Sequence, residues 1–263
     1  MSNVIKFHSY HPSNNTTKDY RPEPVKDNIP QWFLDKEKFK KNQDGTYQLY
    51  RYGDKIHRMP TWKSCPAMLD IFMSGYYLFT PCDIMVKPND GSIQEGLHHH
   101  QRGKSMIEYD EKWKDCGPAR GFCDYRGIED GLPHPDGYSP YTLVWRPTWW
   151  FEVPKGYTVF FTHPINIQDL PFKTISGFSD AATKYLVSGN YPFYIKDGWY
   201  GTIPAGTPYA QVIPIKNESW SSEIIDYTVD EMTQIRKEKY DNYVVGNSIT
   251  RYKENDWLNK HYE

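Results

Sequence analysis

Between Tyr141 and Ile215 short aromatic and apolar runs alternate with Pro/Gly turns, and this pattern narrows the choice of fold more than any other feature. Trp149-Trp150-Phe151-Glu152-Val153, Tyr157-Thr158-Val159-Phe160-Phe161 and Tyr209-Ala210-Gln211-Val212-Ile213 read as strands. Pro154-Lys155-Gly156 and Ile203-Pro204-Ala205-Gly206-Thr207-Pro208 read as the turns between them. Aromatic side chains fit a pleated, half-buried surface, and this chain is 16% aromatic with 22 Tyr, 12 Phe and 9 Trp. The load excludes a disordered chain, which lacks large groups to bury. Closely spaced short strands of this kind predict a compact β-sandwich or barrel, with Trp149–Phe161 and Tyr209–Ile215 in one core sheet system.

The flanks are less regular. Residues 1–34 read as an extended arm: Val4, Ile5 and Phe7 suggest a strand, and Pro12, Pro22, Pro24 and Pro30 stiffen the rest of the arm. Ile29, Trp32, Phe33 and Leu34 then need a surface to bury against. Residues 35–216 form the expected β-rich core domain. Within it, Asp44-Gly45 marks a turn before a strand at Thr46–Tyr50, Pro66–Met73 suggests a short helix, and Tyr76–Phe79 and Ile84–Val86 suggest strands. Residues 87–140 are rich in Gly and Asp and poor in aliphatic residues, which predicts a long loop excursion. In the 217–263 tail, Met232, Ile235 and Tyr240 are spaced as on a weakly amphipathic helix, and Trp257 and Tyr262 could dock back or onto a neighbour.

A net charge of −2 gives no global attraction to nucleic acid or anionic lipid. No apolar run reaches the roughly 20 residues that span a bilayer, and Met-Ser-Asn-Val-Ile-Lys does not read as a signal peptide. Cys65, Cys82, Cys116 and Cys123 include no CxxC pair and read as reduced, mostly buried thiols.

Three motifs resemble the dUTPase / dCTP-deaminase family, a β-barrel fold that assembles as a trimer. Val153-Pro154-Lys155-Gly156-Tyr157 resembles its P-x-G turn, Gly177-Phe178-Ser179-Asp180 its G-x-x-D hairpin, and Ile203–Val212 its I-x-x-G-x-x-x-A-Q strand. The resemblance implies a ligand site at Asp180, Gly206, Gln211 and His163. The departures concern chemistry. Thr162-His163-Pro164-Ile165-Asn166 stands in place of the R-S-S phosphate loop, and Tyr77 of Gly75-Tyr76-Tyr77-Leu78 stands where G-Y-D-L places a water-orienting carboxylate. Each of the four residues also has an ordinary role: Asp180 capping a turn, Gly206 at positive φ, Gln211 a buried polar anchor, His163 serving loop carbonyls. Ile29-Pro30-Gln31-Trp32-Phe33, Thr162–Asn166, Leu170-Pro171-Phe172-Lys173 and Gly206–Pro214 further resemble an uncharacterised family widespread in marine bacteriophages and some bacteria.

His98-His99-His100 followed by Glu108 is the one metal-like constellation. Alternation on a strand would bring His98 and His100 to one face, and with His163 they could imitate a cupin site. Glu108 is too far along the sequence for that signature, and the plainer reading is a surface loop of solvated imidazoles without metal. The expectation is therefore a mainly β protein without catalytic residues or cofactor, acting as a phage-encoded structural or assembly component in the host cytoplasm or the virion. It would associate with itself or with other phage structural proteins through residues 1–34 and the tail, with no nucleic acid or membrane specifically indicated. A divergent dUTPase-like nucleotide-binding or nucleotide-hydrolysing protein is the alternative, and a cupin-like oxygenase a more distant one.

Overall fold

The structure, a computed structural model, describes residues 3–9, 11, 13, 20–52, 55–116, 121–125, 133–180 and 189–241. The strands are, in chain order, β1 (Lys6–Ser9), β2 (Glu23–Pro24), β3 (Leu49–Tyr52), β4 (Lys55–Arg58), β5 (Tyr76–Phe79) and β6 (Ile84–Pro88). They continue as β7 (Leu97–Arg102), β8 (Ser105–Asp110), β9 (Cys123–Tyr125), β10 (Leu143–Trp145), β11 (Trp149–Glu152) and β12 (Tyr157–Thr162). The last are β13 (Phe172–Thr174), β14 (Gly177–Ser179), β15 (Tyr191–Ile195), β16 (Gly201–Ile203) and β17 (Pro208–Lys216). Helices are α1 (Gln31–Leu34), α2 (Pro66–Phe72) and α3 (Val229–Tyr240). The protein is mainly β, built from several sheets that form no closed barrel among the described residues.

The chain divides into two compact units, residues 1–27 with 75–217, and residues 28–74 with 218–263. The divisions fall at 27/28, 74/75 and 217/218, and the first residues pair with later strands. β1 lies antiparallel to β11, and β2 lies against β5. Those pairings tie the start of the arm to its own unit.

In the first unit three sheets share one core. Their strand orders are β14-β12-β17-β5-β2, β13-β15-β10-β9 and β16-β6-β8-β7. Alternation on β12 and β17 turns Val159, Phe161, Ala210 and Val212 inward, and β10 and β15 answer with Leu143, Trp145, Tyr191 and Phe193. The contacts are aromatic. Trp145 stacks on Phe193 at 3.7 Å and Phe161 on Tyr191 at 4.1 Å. Trp145 Nε1 donates to Thr174 Oγ1 (3.1 Å), whose hydroxyl donates to the Tyr209 carbonyl, so the buried polar tip is satisfied. β12 and β17 share a sheet, whereas β11 pairs, among the described residues, with β1 alone and joins the core through Phe151, so Trp149–Phe161 spans two sheets.

Gly75 opens β5 at φ +75°, where a Cβ would lie 2.2 Å from the Val212 carbonyl oxygen, so the close approach of these strands requires glycine. Cys82, Cys116 and Cys123 lie in this core, and burial pushes the Cys82 and Cys116 thiols up to about 12.

The expected excursion at 87–140 contains strands β7, β8 and β9. β7 and β8 are joined by the turn at Gly103 and paired from Leu97↔Asp110 to Arg102↔Ser105. Their polar sequence hid them, because the register is imposed by the buried β8 rather than by alternation in β7.

In the second unit the hairpin β3–β4 and helix α2 stand with α1, and the expected strand at Thr46–Tyr50 is realised slightly later as β3. Phe33 packs on Phe72 at 4.7 Å, which gives part of the arm its cover within this unit. Thr228 and Glu231 form a reciprocal capping box at the start of α3, with Lys237 and Lys239 near its end. Trp257 and Tyr262 lie outside the described residues.

Candidate functional site

β7 is the edge strand of one sheet and β9 the edge strand of another, and a cleft of about 500 Å³ lies where they meet. The register of β7 on β8 sets His98 opposite Tyr109 and His100 opposite Ile107, so both imidazoles share the face of β8 that enters the core. His99 pairs with Glu108 on the other face. The strand period of two thus separates Glu108 from His98 and His100, and the imagined cupin arrangement is not formed. The three histidines lie on a strand rather than on the expected surface loop, and among the described residues no group of three or more His, Cys, Asp or Glu is placed to hold a metal.

The carboxylate that serves the histidines is Asp124 on β9. Its Oδ1 accepts from His98 Nε2 (3.1 Å) and from the Tyr109 hydroxyl (3.1 Å). Its Oδ2 accepts from the Gly121 backbone N–H (2.7 Å) and from Arg146 Nη1 (2.8 Å). A carboxylate offers about four acceptor sites, so Asp124 is saturated. Burial by itself would raise its carboxyl. The His98 hydrogen bond and the Arg146 guanidinium outweigh that, and hold it well below the usual range. The Tyr109 hydroxyl is pushed far up by burial and by the Asp124 charge, which keeps it a donor. Gly121 permits the closure, because a Cβ there would lie 1.7 Å from the Tyr109 hydroxyl.

His100 Nδ1 lies 3.0 Å from the Tyr125 backbone N–H and 3.6 Å from Asp124 Oδ1. The shorter contact is the hydrogen bond. Nδ1 is therefore an acceptor, and the proton of the neutral ring is assigned to Nε2. The same contact caps an outward-facing amide of edge strand β9. Arg146, just past β10, is 5% exposed and also donates through Nη1 to the Gly121 carbonyl. Its Nε and Nη2 have no hydrogen-bond partner among the described residues. On the opposite face of β8, buried Glu108 is ion-paired with Lys87.

No protein-family model, curated protein or solved structure matches this chain.

The residues suggested by the dUTPase-like motifs take other places. His163 Nδ1 accepts the Thr174 N–H (3.2 Å), and burial lowers its imidazole to about 4. Gln211, paired with Thr162 in register, accepts the Ile165 N–H (3.1 Å), so His163 and Gln211 each serve main chain near the end of β12. Asp180 is exposed just past β14, and Gly206 takes φ +79° in the turn before β17. Tyr77 is buried on β5, its hydroxyl raised to about 12 by burial. Asp124, Tyr109 and Arg146 were invisible as a set in the sequence. The only available signal was the His98/His100 alternation, which names a face but not its partner.

Proposed function

We propose that the protein is a non-catalytic structural or assembly component that associates with a second copy of itself through residues 217–240. The observation that carries this reading is the exposure of that segment: Trp220 is 87% exposed and Ile224 90%, with Ile225, Tyr227 and Val229 also exposed and no residue of α3 buried. The hairpin unit to which the segment is assigned also leaves Leu49, Ile56 and Trp62 exposed. A large apolar side chain contributes roughly 1.5–3 kcal/mol when fully buried, while association costs about 4–15 kcal/mol in lost freedom. One tail scarcely offsets that cost, whereas a symmetric exchange of two tails doubles the gain. The arm is a weaker candidate, since β1 and β2 pair within their own unit and Phe33 is buried on Phe72. The bacteriophage resemblance makes a virion or an infected host's cytoplasm the proposed setting. Nucleotide hydrolysis is disfavoured, because a buried phenol titrating near 12 is a poor base for activating water.

Sedimentation velocity across the micromolar range tests the proposal. The full chain should sediment as a dimer or larger, and a Trp220→Ser/Ile224→Ser/Ile225→Ser variant as a monomer with unchanged thermal stability. A monomeric full chain at every concentration would refute it.

A further inference from the structure

We infer that the cleft between β7 and β9 is a binding site for a small ligand carrying an oxyanion, either a carboxylate or a phosphate. The inference is independent of self-association. Its core is Arg146, a mostly buried guanidinium whose Nη1 is spent on Asp124 and the Gly121 carbonyl while Nε and Nη2 have no hydrogen-bond partner among the described residues. Arg146 lines the cleft, so these two nitrogens are available to a molecule inside it. The planar fork of a guanidinium matches the two oxygens of a carboxylate or phosphate.

Two further donors sit on the same cleft. His100 accepts at Nδ1 from Tyr125 and so carries its proton at Nε2. Lys114 also lines the cleft and reaches Glu111 at 2.6 Å by a surface pair that leaves other ammonium protons available. Asp124 does not compete for these donors, since its acceptor sites are filled from within the protein. It acts as the anchor that fixes Arg146 and His98. Among the described lining residues Asp115 is the one other carboxylate, and it limits how much negative charge the ligand can carry. A volume of about 500 Å³ exceeds that of a bare oxyanion, so the group belongs to a larger molecule.

The test is a titration of the full chain followed by the imidazole Cε1–H resonances of His98 and His100. Inorganic phosphate and sodium acetate are the probes, with chloride at equal ionic strength as the control. Saturable shifts with phosphate alone assign a phosphate-bearing ligand; shifts with acetate alone assign a carboxylate. His100→Gln and Lys114→Ala, both at exposed side chains, should each weaken binding about 10-fold. Arg146→Lys retains a charge for Asp124 but not the fork, and should weaken it further, with near-UV circular dichroism reporting the fold. Absence of saturable shifts, or equal shifts with chloride, would overturn the inference. So would equal weakening by Lys112→Ala, whose side chain pairs with Asp110 outside the cleft.

Discussion

Asp124 shows how a single carboxylate can tie two sheet edges together. Asp124→Asn removes the counter-charge of buried Arg146 and should cost about 3–5 kcal/mol in chemical denaturation. Arg146→Met should also be destabilising. The double variant should lose less than the sum of the two, because the second change removes the charge that the first left stranded. His163 provides a separate pH signature. Its imidazole is lowered by burial, and to a lesser degree by Lys173, to about 4, against the ordinary 6.5 that applies when the chain is unfolded. Between those values the unfolded chain binds a proton that the folded one does not, so stability is full above about pH 6.5 and falls as the pH drops toward 4. The loss is roughly 3 kcal/mol at most. His163→Asn, which can still accept the Thr174 N–H, should flatten the pH 4–6.5 limb of a urea-midpoint profile. Asp124 acts lower: its contribution is intact above about pH 4 and disappears in stronger acid.

At the scale of elements, the β5–β17 contact depends on Gly75. Gly75→Ala adds a Cβ at 2.2 Å from the Val212 carbonyl oxygen in a left-handed conformation. It should lower stability by about 2 kcal/mol or more, read as a reduced melting temperature. The elements legible in the sequence were those whose own residues carry the signal. β12 and β17 are aromatic and apolar runs between Pro/Gly turns, α2 is a short apolar run that begins on Pro66, and α3 carries the Met232/Ile235/Tyr240 spacing. β7 was not legible, because Leu-His-His-His-Gln-Arg has no apolar face of its own and is ordered by pairing with β8. The site was hidden for the same reason. Its three anchors, Tyr109, Asp124 and Arg146, come from two strands and the residue after a third, and local spacing carries no trace of their meeting.

At the scale of the molecule, residues 1–27 return to pair with strands more than fifty residues later, so the first unit is assembled from both sides of the 28–74 segment. Contacts of that separation are slow to form, since the loop between them must close first. The four thiols are distributed unevenly over this arrangement. Cys82, Cys116 and Cys123 belong to the first unit and are buried, whereas Cys65 belongs to the second and is partly accessible. A thiol that titrates near 12 offers almost no nucleophile at neutral pH. Iodoacetamide applied to the native protein and followed by intact-mass spectrometry should therefore add one group early, at Cys65. The other three should appear together, at the rate at which the aromatic core opens. Staggered labelling of those three would mean that the sheets come apart one at a time. The chain thus carries a built-in clock for the opening of its larger unit, with Cys65 as the zero mark.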